Sequence, residues 1–265
     1  MTLAELEPLK NRERVDLHGK VALVTGSTRN IGAEIAKALA KEGANVVIHG
    51  REKTRRAERK VRPAIEKFGV ECEVIMADLT DGIALAGLFE QIKARFGKLD
   101  ILVLNAAGGL EEWADDDYAM RINRDAQIDC VKHALPLMLE GGRIVYISSN
   151  VAHDYQEGQE LLFPEYERVA RTKKAAENDL LAMGEVLNAK GISLGIVSGP
   201  LIEGTPAWLY LKHTGELEDV IAKVEYAKQE DMANAVMEFV TNPNPQMGEV
   251  IFTTCSGFGK ILPKT

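Results

Sequence analysis

"KVALVTGSTRNIGAEIA", residues 20–36, has the pattern of a strand, a turn and a helix in immediate succession. Its first part is a short apolar run, which is typical of a buried strand, and its last part repeats apolar residues with helical spacing. In such a unit the turn faces the ligand crevice, and the helix amino terminus offers free N–H groups to a phosphate. The segment therefore predicts a nucleotide-binding turn; the plainer alternative is an ordinary connection between a strand and a helix.

The same alternation of strand and helix continues along the chain. Several of the strand candidates are apolar at consecutive positions, as expected for strands that are buried on both faces of a parallel sheet. We therefore predict an α/β fold with one domain: a doubly wound, Rossmann-type sheet of seven parallel strands with helices on both faces. The six further strands are predicted over residues 45–49, 72–77, 99–105, 142–149, 192–198 and 248–254, and the later helices near 83–96, 117–139 and 164–190.

Composition narrows the possible functions. Hydrophobic residues make up 46% of the chain, enough for a full core, and the formal net charge of −8 argues against a nucleic-acid surface. The cysteines, Cys72, Cys130 and Cys255, form no zinc-ligand pattern, which favours a reducing, cytoplasmic setting. No apolar run approaches the roughly 18 residues that span a membrane. We expect an N-terminal arm over residues 1–17 and one catalytic domain over 18–265.

Motifs at matching positions give a family resemblance. The turn after the first strand reads Thr-Gly-x-x-x-Asn-x-Gly, with Gly26, Asn30 and Gly32 at its fixed positions. Asn30 replaces a glycine of the family motif, and asparagine tolerates positive φ better than other non-glycine residues. Over residues 18–257 the chain resembles the short-chain dehydrogenase/reductase superfamily. The other matching segments are "ADL" (77–79), "LNAAGG" (104–109), "INRDA" (122–126), "ISS" (147–149) and "VSGPLIEGT" (197–205).

This resemblance implies a dinucleotide site. Sheets that prefer NAD end their second strand with an acidic residue, but here Gly50 occupies that position and Arg51 follows. A guanidinium binds a 2′-phosphate, so we predict NADP(H) as the cofactor, with Arg29 as a second contact; two ordinary surface arginines are the alternative. The predicted cofactor-binding residues are Gly26, Thr28, Arg29, Asn30, Ile31, Gly32, Arg51, Asp78, Leu79, Asn105, Ala106, Ala107, Lys173, Ile202 and Thr205.

The resemblance also implies a catalytic serine, tyrosine and lysine, with an asparagine on the fourth helix that holds a proton-relay water. Ser149, with Ser148 as its alternate, matches the serine, Asn123 the asparagine and Lys173 the lysine. In the family the tyrosine donates the proton during reduction, and the lysine binds the nicotinamide ribose and lowers the tyrosine pKa from about 10. The usual tyrosine position, four residues before the lysine, holds Val169 in this chain.

Tyr166 is the natural replacement. It precedes Lys173 by seven residues, about two helical turns, so the two share one helix face within roughly 20°. "PEYERVARTK" (164–173) resembles the divergent enoyl-reductase branch, whose helix begins Pro-x-Tyr-x-x-Met-x-x-x-Lys. Tyr155, in the preceding loop, is the other candidate for the proton donor.

Three functions are compatible with these residues: an NADPH-dependent reductase of a ketone or β-ketoacyl-like substrate, an enoyl-thioester reductase, and a non-catalytic NADP(H) sensor or scaffold. The expected partners are a small-molecule or acyl-thioester substrate and further copies of the chain, in a homotetramer; no nucleic acid or membrane is expected. Residues 206–228 occupy the place of the family's substrate lid. Its cluster of Trp208, Leu209, Tyr210 and Leu211 suits either an apolar substrate or helix packing.

Overall fold

The computed structural model describes residues 14–52, 55–161, 163–254 and 257–261. Its strands are β1 (Val21–Val24), β2 (Asn45–Gly50), β3 (Cys72–Met76), β4 (Ile101–Leu104), β5 (Arg143–Ser149), β6 (Ser193–Gly199), β7 (Leu201–Ile202), β8 (Tyr226–Ala227), β9 (Glu249–Thr254) and β10 (Gly257–Ile261). The main sheet has the order β10-β9-β6-β5-β4-β1-β2-β3. The predicted seven-stranded parallel sheet is confirmed, and β10 adds an antiparallel edge strand that the sequence pattern did not predict.

The helices are α1 (Asn30–Lys41), α2 (Arg62–Glu66), α3 (Gly82–Phe96), α4 (Asp116–Met120), α5 (Ala126–Ala134), α6 (Asn150–His153), α7 (Glu167–Ala182), α8 (Gly184–Ala189), α9 (Pro206–Thr214), α10 (Leu217–Ile221) and α11 (Gln229–Thr241). They cover both faces of the sheet. Along β1, Ala22 and Val24 join an apolar cluster with α1 and α11, whereas Val21 and Leu23 join one with α3, α5 and α7. Because side chains alternate between faces, a strand that is covered on both faces has to be apolar throughout.

Two predicted helices differ from the observed ones. The helix predicted over 117–139 contains a π-helical segment, Arg121–Asp125, and ends at Ala134. Pro136 explains the early end, because a proline has no backbone N–H to donate to the carbonyl four residues before it and its ring crowds that carbonyl. The helix predicted over 164–190 consists of a 3₁₀ turn (Pro164–Tyr166), α7 and α8. The helix predicted over 83–96 is confirmed.

The segment predicted as a lid has its two ends fixed to each other. Strands β7 and β8 pair in parallel beside the main sheet, with Leu201 opposite Tyr226 and Ile202 opposite Ala227. Helices α9 and α10 lie between them, so the segment predicted as a lid over residues 206–228 is a closed helical excursion from the carboxyl end of β6. Both helices consequently lie near the carboxyl ends of the parallel strands.

The end of the predicted N-terminal arm packs on the domain. The backbone N–H of Val15 donates to the carbonyl of Thr241 at 2.8 Å, and Leu17 is buried in the core. Residues 1–13 of that arm, and Cys255, lie outside the described residues. In the described part of the chain no helix is long and apolar enough to cross a membrane, and no three metal-ligating side chains cluster together.

Candidate active site

A cleft of about 1180 Å³ opens at the carboxyl ends of the parallel strands. This is the edge at which open α/β sheets bind their ligands. Every predicted site residue except Asn123 lines it: Gly26, Thr28, Arg29, Asn30, Ile31, Gly32, Arg51, Asp78, Leu79, Asn105, Ala106, Ala107, Ser149, Tyr166, Lys173, Ile202 and Thr205. The residues that were predicted from scattered motifs therefore meet in one place.

The turn between β1 and α1 has the backbone that its motif predicts. Gly26 has a φ of 65°, and Asn30, with a φ of 51°, is the one non-glycine residue in the left-handed region among those described. Gly32 has no room for a side chain, because a Cβ there would lie 2.6 Å from the carbonyl oxygen of Gly26. The Asn105 amide fixes the turn to β4 by donating to the carbonyl of Thr25 at 2.8 Å. The result is a rigid turn with its backbone open to the cleft.

His49 supports this turn, although the sequence analysis did not identify it. Its Nδ1 accepts from the N–H of Gly26 at 3.1 Å, and its Nε2 donates to the carbonyl of Ala77 at 2.9 Å. These bonds require the neutral ring with its proton on Nε2. Burial lowers the pKa of His49 to about 4, so the ring stays neutral at ordinary pH. No local pattern indicates this role, because its partners lie far apart in the sequence.

We expect His49 to make the fold sensitive to acid. Its pKa is about 4 in the folded protein against 6.5 for an unperturbed histidine, so its contribution is complete above pH 6.5 and is lost as the pH falls toward 4. Between about pH 7 and about pH 5 this should remove about 2 kcal/mol from the free energy of unfolding. His49→Gln should lose that contribution, as measured by urea unfolding at both pH values. Parallel pH dependence in variant and wild type would contradict the expectation.

The adenosine end of the cleft contains a cationic and aromatic cluster. Gly50, at the end of β2, has its Cα so close to Thr28 that a Cβ would lie 2.6 Å from Thr28 Cγ2. Arg51 Nη1 donates to the Tyr118 hydroxyl at 3.4 Å, and its guanidinium lies 5.6 Å from the centre of the Trp113 ring. The sequence predicted Arg51 at this place, but neither of its aromatic neighbours. The cluster holds a positive charge directly after Gly50, which occupies the position of the carboxylate of NAD-preferring sheets.

Lys173 and Tyr166 lie at the other end of the cleft. Lys173 is buried, with its Nζ donating to the carbonyl of Ile147 at 3.0 Å, and burial lowers its pKa to about 8. Burial raises the pKa of Tyr166, and a hydrogen bond with Ser149 acts in the opposite direction. Desolvation of the phenol is the larger of these two effects. At neutral pH the tyrosine is consequently protonated.

Asn123 does not join the cleft. Its Nδ2 donates to the Gly108 carbonyl at 2.9 Å and to Thr172 Oγ1 at 2.9 Å, and its Oδ1 accepts from the Gly108 N–H at 3.0 Å. Its backbone carbonyl accepts from the hydroxyl of Tyr146 at 3.2 Å. Since the whole side chain is engaged, Asn123 fastens the loop after β4 to helix α7.

Tyr155 is not among the residues that line the cleft. Its hydroxyl donates to Glu167 of α7 at 2.5 Å, and that hydrogen bond raises its pKa. Lys174, the neighbour of Lys173, points away and donates to the carbonyl of His153 at 2.5 Å. Of the two candidate tyrosines and the two adjacent lysines, only Tyr166 and Lys173 face the cleft in the described structure.

An aromatic wall borders the catalytic end. The Phe163 ring lies 6.0 Å from the Tyr166 ring and 5.3 Å from the Tyr210 ring of α9. The segment predicted as a lid adds Leu209, Tyr210 and Leu211 to the lining of the cleft, whereas Trp208 packs on Tyr226 instead. Four further acidic side chains line the cleft, namely Glu111, Asp154, Glu160 and Glu225, and of these Glu111 lies near Tyr118 at the adenosine end.

Comparison with known proteins gives consistent results at the level of sequence and of structure. Residues 20–162 match the profile of the family described as short chain dehydrogenase. Versicolorin reductase 1 of Aspergillus parasiticus is 41% identical over 145 residues, which make up 51% of this chain and 54% of that protein. The chain thus spans about half the length of the curated relatives it matches.

Two solved structures are similar over most of the chain. A short-chain dehydrogenase from Burkholderia cenocepacia J2315 in complex with NADP has a TM-score of 0.76 and 30% identity, covering 92% of this chain and 100% of that one. The angucycline C-6 ketoreductase LanV with bound NADP has a TM-score of 0.71 and 29% identity, covering 85% of this chain and 90% of that one. Both similarities support the Rossmann-type fold.

Proposed function

The chain belongs to the short-chain dehydrogenase family, and from that premise we propose that it is an NADPH-dependent reductase of a carbonyl compound. The observation that carries the proposal is the convergence of a nucleotide-binding turn, a cationic adenosine end and the Ser149–Tyr166–Lys173 group in one cleft. The NADP in the two similar structures and the names of the reductase relatives support it. The cytoplasmic setting and the homotetramer remain predictions from composition and resemblance.

The residues of the cleft fit a dinucleotide. The turn around Gly32 leaves no space for a side chain and presents backbone at the amino terminus of α1, where a pyrophosphate is stabilised by free N–H groups. Arg51 and Arg29 line the same end and would hold a 2′-phosphate. Lys173 would bind the nicotinamide ribose at the opposite end. NADPH supplies the hydride when it is bound.

Tyr166 is suited to act as the general acid. Because burial raises its pKa, it carries its proton at neutral pH and can give it to the carbonyl oxygen as the carbon is reduced. Ser149 bonds the phenol and would hold the same oxygen. The side chain of Ser149 also accepts from the N–H of Ala152 at 3.2 Å, which fixes its position as the first residue before α6. Proton and carbonyl oxygen are thereby aligned before transfer.

The lining of the catalytic end favours an uncharged substrate with an apolar body. Phe163 and Tyr210 offer flat aromatic contacts, and the charges of Glu165 and Glu216, which act on Tyr210, would repel carboxylates and phosphopantetheine phosphates. An aromatic ketone fits this lining better than an acyl thioester. Incubating the protein with NADPH and matched panels of aromatic ketones and enoyl thioesters, while following NADPH absorbance, tests the proposal. Turnover of thioesters alone would favour the enoyl reductase that the Tyr-x6-Lys spacing suggests. Tight NADPH binding without turnover would favour a sensor.

We expect Arg51→Asp to weaken NADPH binding about 10–150-fold, because each charge-assisted hydrogen bond contributes about 1.5–3 kcal/mol. NADH binding should change much less, since NADH lacks the 2′-phosphate. Equilibrium titration of both cofactors measures the ratio. Arg56→Asp is the matched control, because Arg56 is an exposed arginine five residues after Arg51 and does not line the cleft. Equal affinities of the wild type for the two cofactors would refute the proposed preference.

A further inference from the structure

A buried carboxylate lies beside the catalytic group without any part in the chemistry proposed above. Glu177 of α7 is 1% exposed. Its Oε1 accepts a short hydrogen bond from the Ser148 hydroxyl, and its Oε2 accepts from His153 Nδ1 at 2.8 Å. Lys174 Nζ lies 3.6 Å from the same Oε2. Burying a carboxylate is costly unless it is paired. Because each oxygen of Glu177 has a partner, this set of contacts indicates an ionised group held in one place.

Helical geometry brings this carboxylate to Lys173. The two residues are four apart on α7, and side chains at that spacing lie on one face of a helix. Strand β5 holds both head groups, since Lys173 donates to the carbonyl of Ile147 and Glu177 accepts from the next residue, Ser148. The carboxylate raises the pKa of Lys173, whereas burial lowers it. Without the carboxylate, Lys173 would therefore lose its proton at a lower pH.

The other groups near this pair are accounted for. His153 is 24% exposed, packs edgewise on Phe252 at 5.2 Å, and connects Glu177 to the surface. Tyr146, fully buried behind the pair, keeps its proton because burial and the Glu177 charge hold its pKa well above the usual range. Tyr166 is uncharged at neutral pH. Glu177 thus supplies the negative charge that acts on Lys173, and Lys174 and His153 stabilise Oε2 of its carboxylate.

We propose that Glu177 is a positioning residue whose charge keeps Lys173 protonated at neutral pH, with Ser148 and His153 fixing the carboxylate. The proposal rests on the role in NADPH binding that is proposed for Lys173. A lysine that titrates near neutral pH would hold the ribose only in its protonated fraction. With Glu177 in place, that fraction is large at neutral pH; without it, the site would lose its cation within the working pH range.

The first test is the titration of Lys173 in the cofactor-free protein, monitored by NMR of ¹³C-labelled lysine. The Lys173→Arg variant assigns the signal. The wild type should titrate at about 8. In Glu177→Gln, which keeps the shape, removes the charge and replaces one acceptor oxygen with an NH2 donor, the pKa should fall by about 1–3 units. Glu185→Gln, at an exposed position on α8, is the matched control and should leave it unchanged. An unaltered Lys173 pKa in Glu177→Gln would overturn the proposal.

The second test measures NADPH affinity against pH. In Glu177→Gln the loss of NADPH affinity at alkaline pH should begin at a pH that is lower by as much as the Lys173 pKa falls. Beyond that point the affinity should decrease about tenfold per pH unit. If Glu177→Gln does not fold, Glu177→Asp retains the charge on a shorter stem and should show a smaller shift in the same direction; no shift would count against the idea. If Lys173→Ala binds NADPH as tightly as the wild type, the proposed role of Lys173 fails. If Lys173→Ala weakens NADPH binding but the Glu177 variants shift neither the pKa nor the affinity profile, the role of Lys173 stands and the inference about Glu177 fails.

Discussion

Tyr166→Phe should lower kcat for carbonyl reduction by about 10²–10⁴-fold, the usual loss when a positioned general acid is removed. The substitution keeps the ring that packs with Phe163 and removes only the hydroxyl that bonds Ser149. NADPH affinity should change little, because the phenol is proposed to act on the substrate. Steady-state kinetics with a reducible ketone, together with a separate NADPH titration, distinguish loss of chemistry from loss of binding.

Tyr155→Phe is the control for this experiment. The Tyr155 hydroxyl donates to Glu167 and does not reach the cleft, so its removal should leave kcat within a few-fold of the wild type. The reverse result, with full activity in Tyr166→Phe and none in Tyr155→Phe, would mean that the loop before α7 rearranges to carry the proton. The spacing of Tyr166 and Lys173 would then have no catalytic meaning.

The fold was largely predictable because its signals are local. Parallel strands that are covered by helices on both faces are apolar at consecutive positions. The motif of the nucleotide-binding turn, with Gly26 and Asn30, also lies within a few consecutive residues. The edge strand β10 was missed because "GFGKI" (257–261) is rich in glycine, which has a low strand propensity. The early end of α5 depended on a single residue, Pro136, inside an otherwise helical pattern.

The site was predictable only where motifs mark it. His49 and Glu177 were missed because each acts through partners far away in the sequence, and a lone histidine or glutamate has no local signature. The bonds of Asn123 were not predicted for a similar reason: its amide is engaged by Gly108 and Thr172, a contact that only the packing of α7 creates. The direction of the Tyr166 pKa shift depends on desolvation, which residue spacing cannot supply.

Lys173→Ala should weaken NADPH binding about 10–150-fold, because it removes a charge-assisted hydrogen bond to the ribose that contributes about 1.5–3 kcal/mol. It should also lower kcat, since a misplaced nicotinamide no longer presents its hydride to the carbonyl held by Ser149 and Tyr166. Both effects distinguish it from Tyr166→Phe, which should affect kcat alone. Equilibrium titration and steady-state kinetics on the same two variants make that comparison directly.

The pH dependence gives the sharper test of the lysine. Burial lowers the pKa of Lys173 to about 8, so the ammonium that holds the ribose is present below that pH and is lost above it. NADPH affinity of the wild type should therefore fall about tenfold per pH unit once the pH exceeds about 8. Lys173→Ala should bind weakly at every pH and show no such fall, whereas Lys174→Ala, which removes the adjacent lysine that points away from the cleft, should keep it. A wild-type affinity that stays constant through this range would exclude Lys173 as the titrating contact, and a fall that persists in Lys173→Ala would assign it to another group.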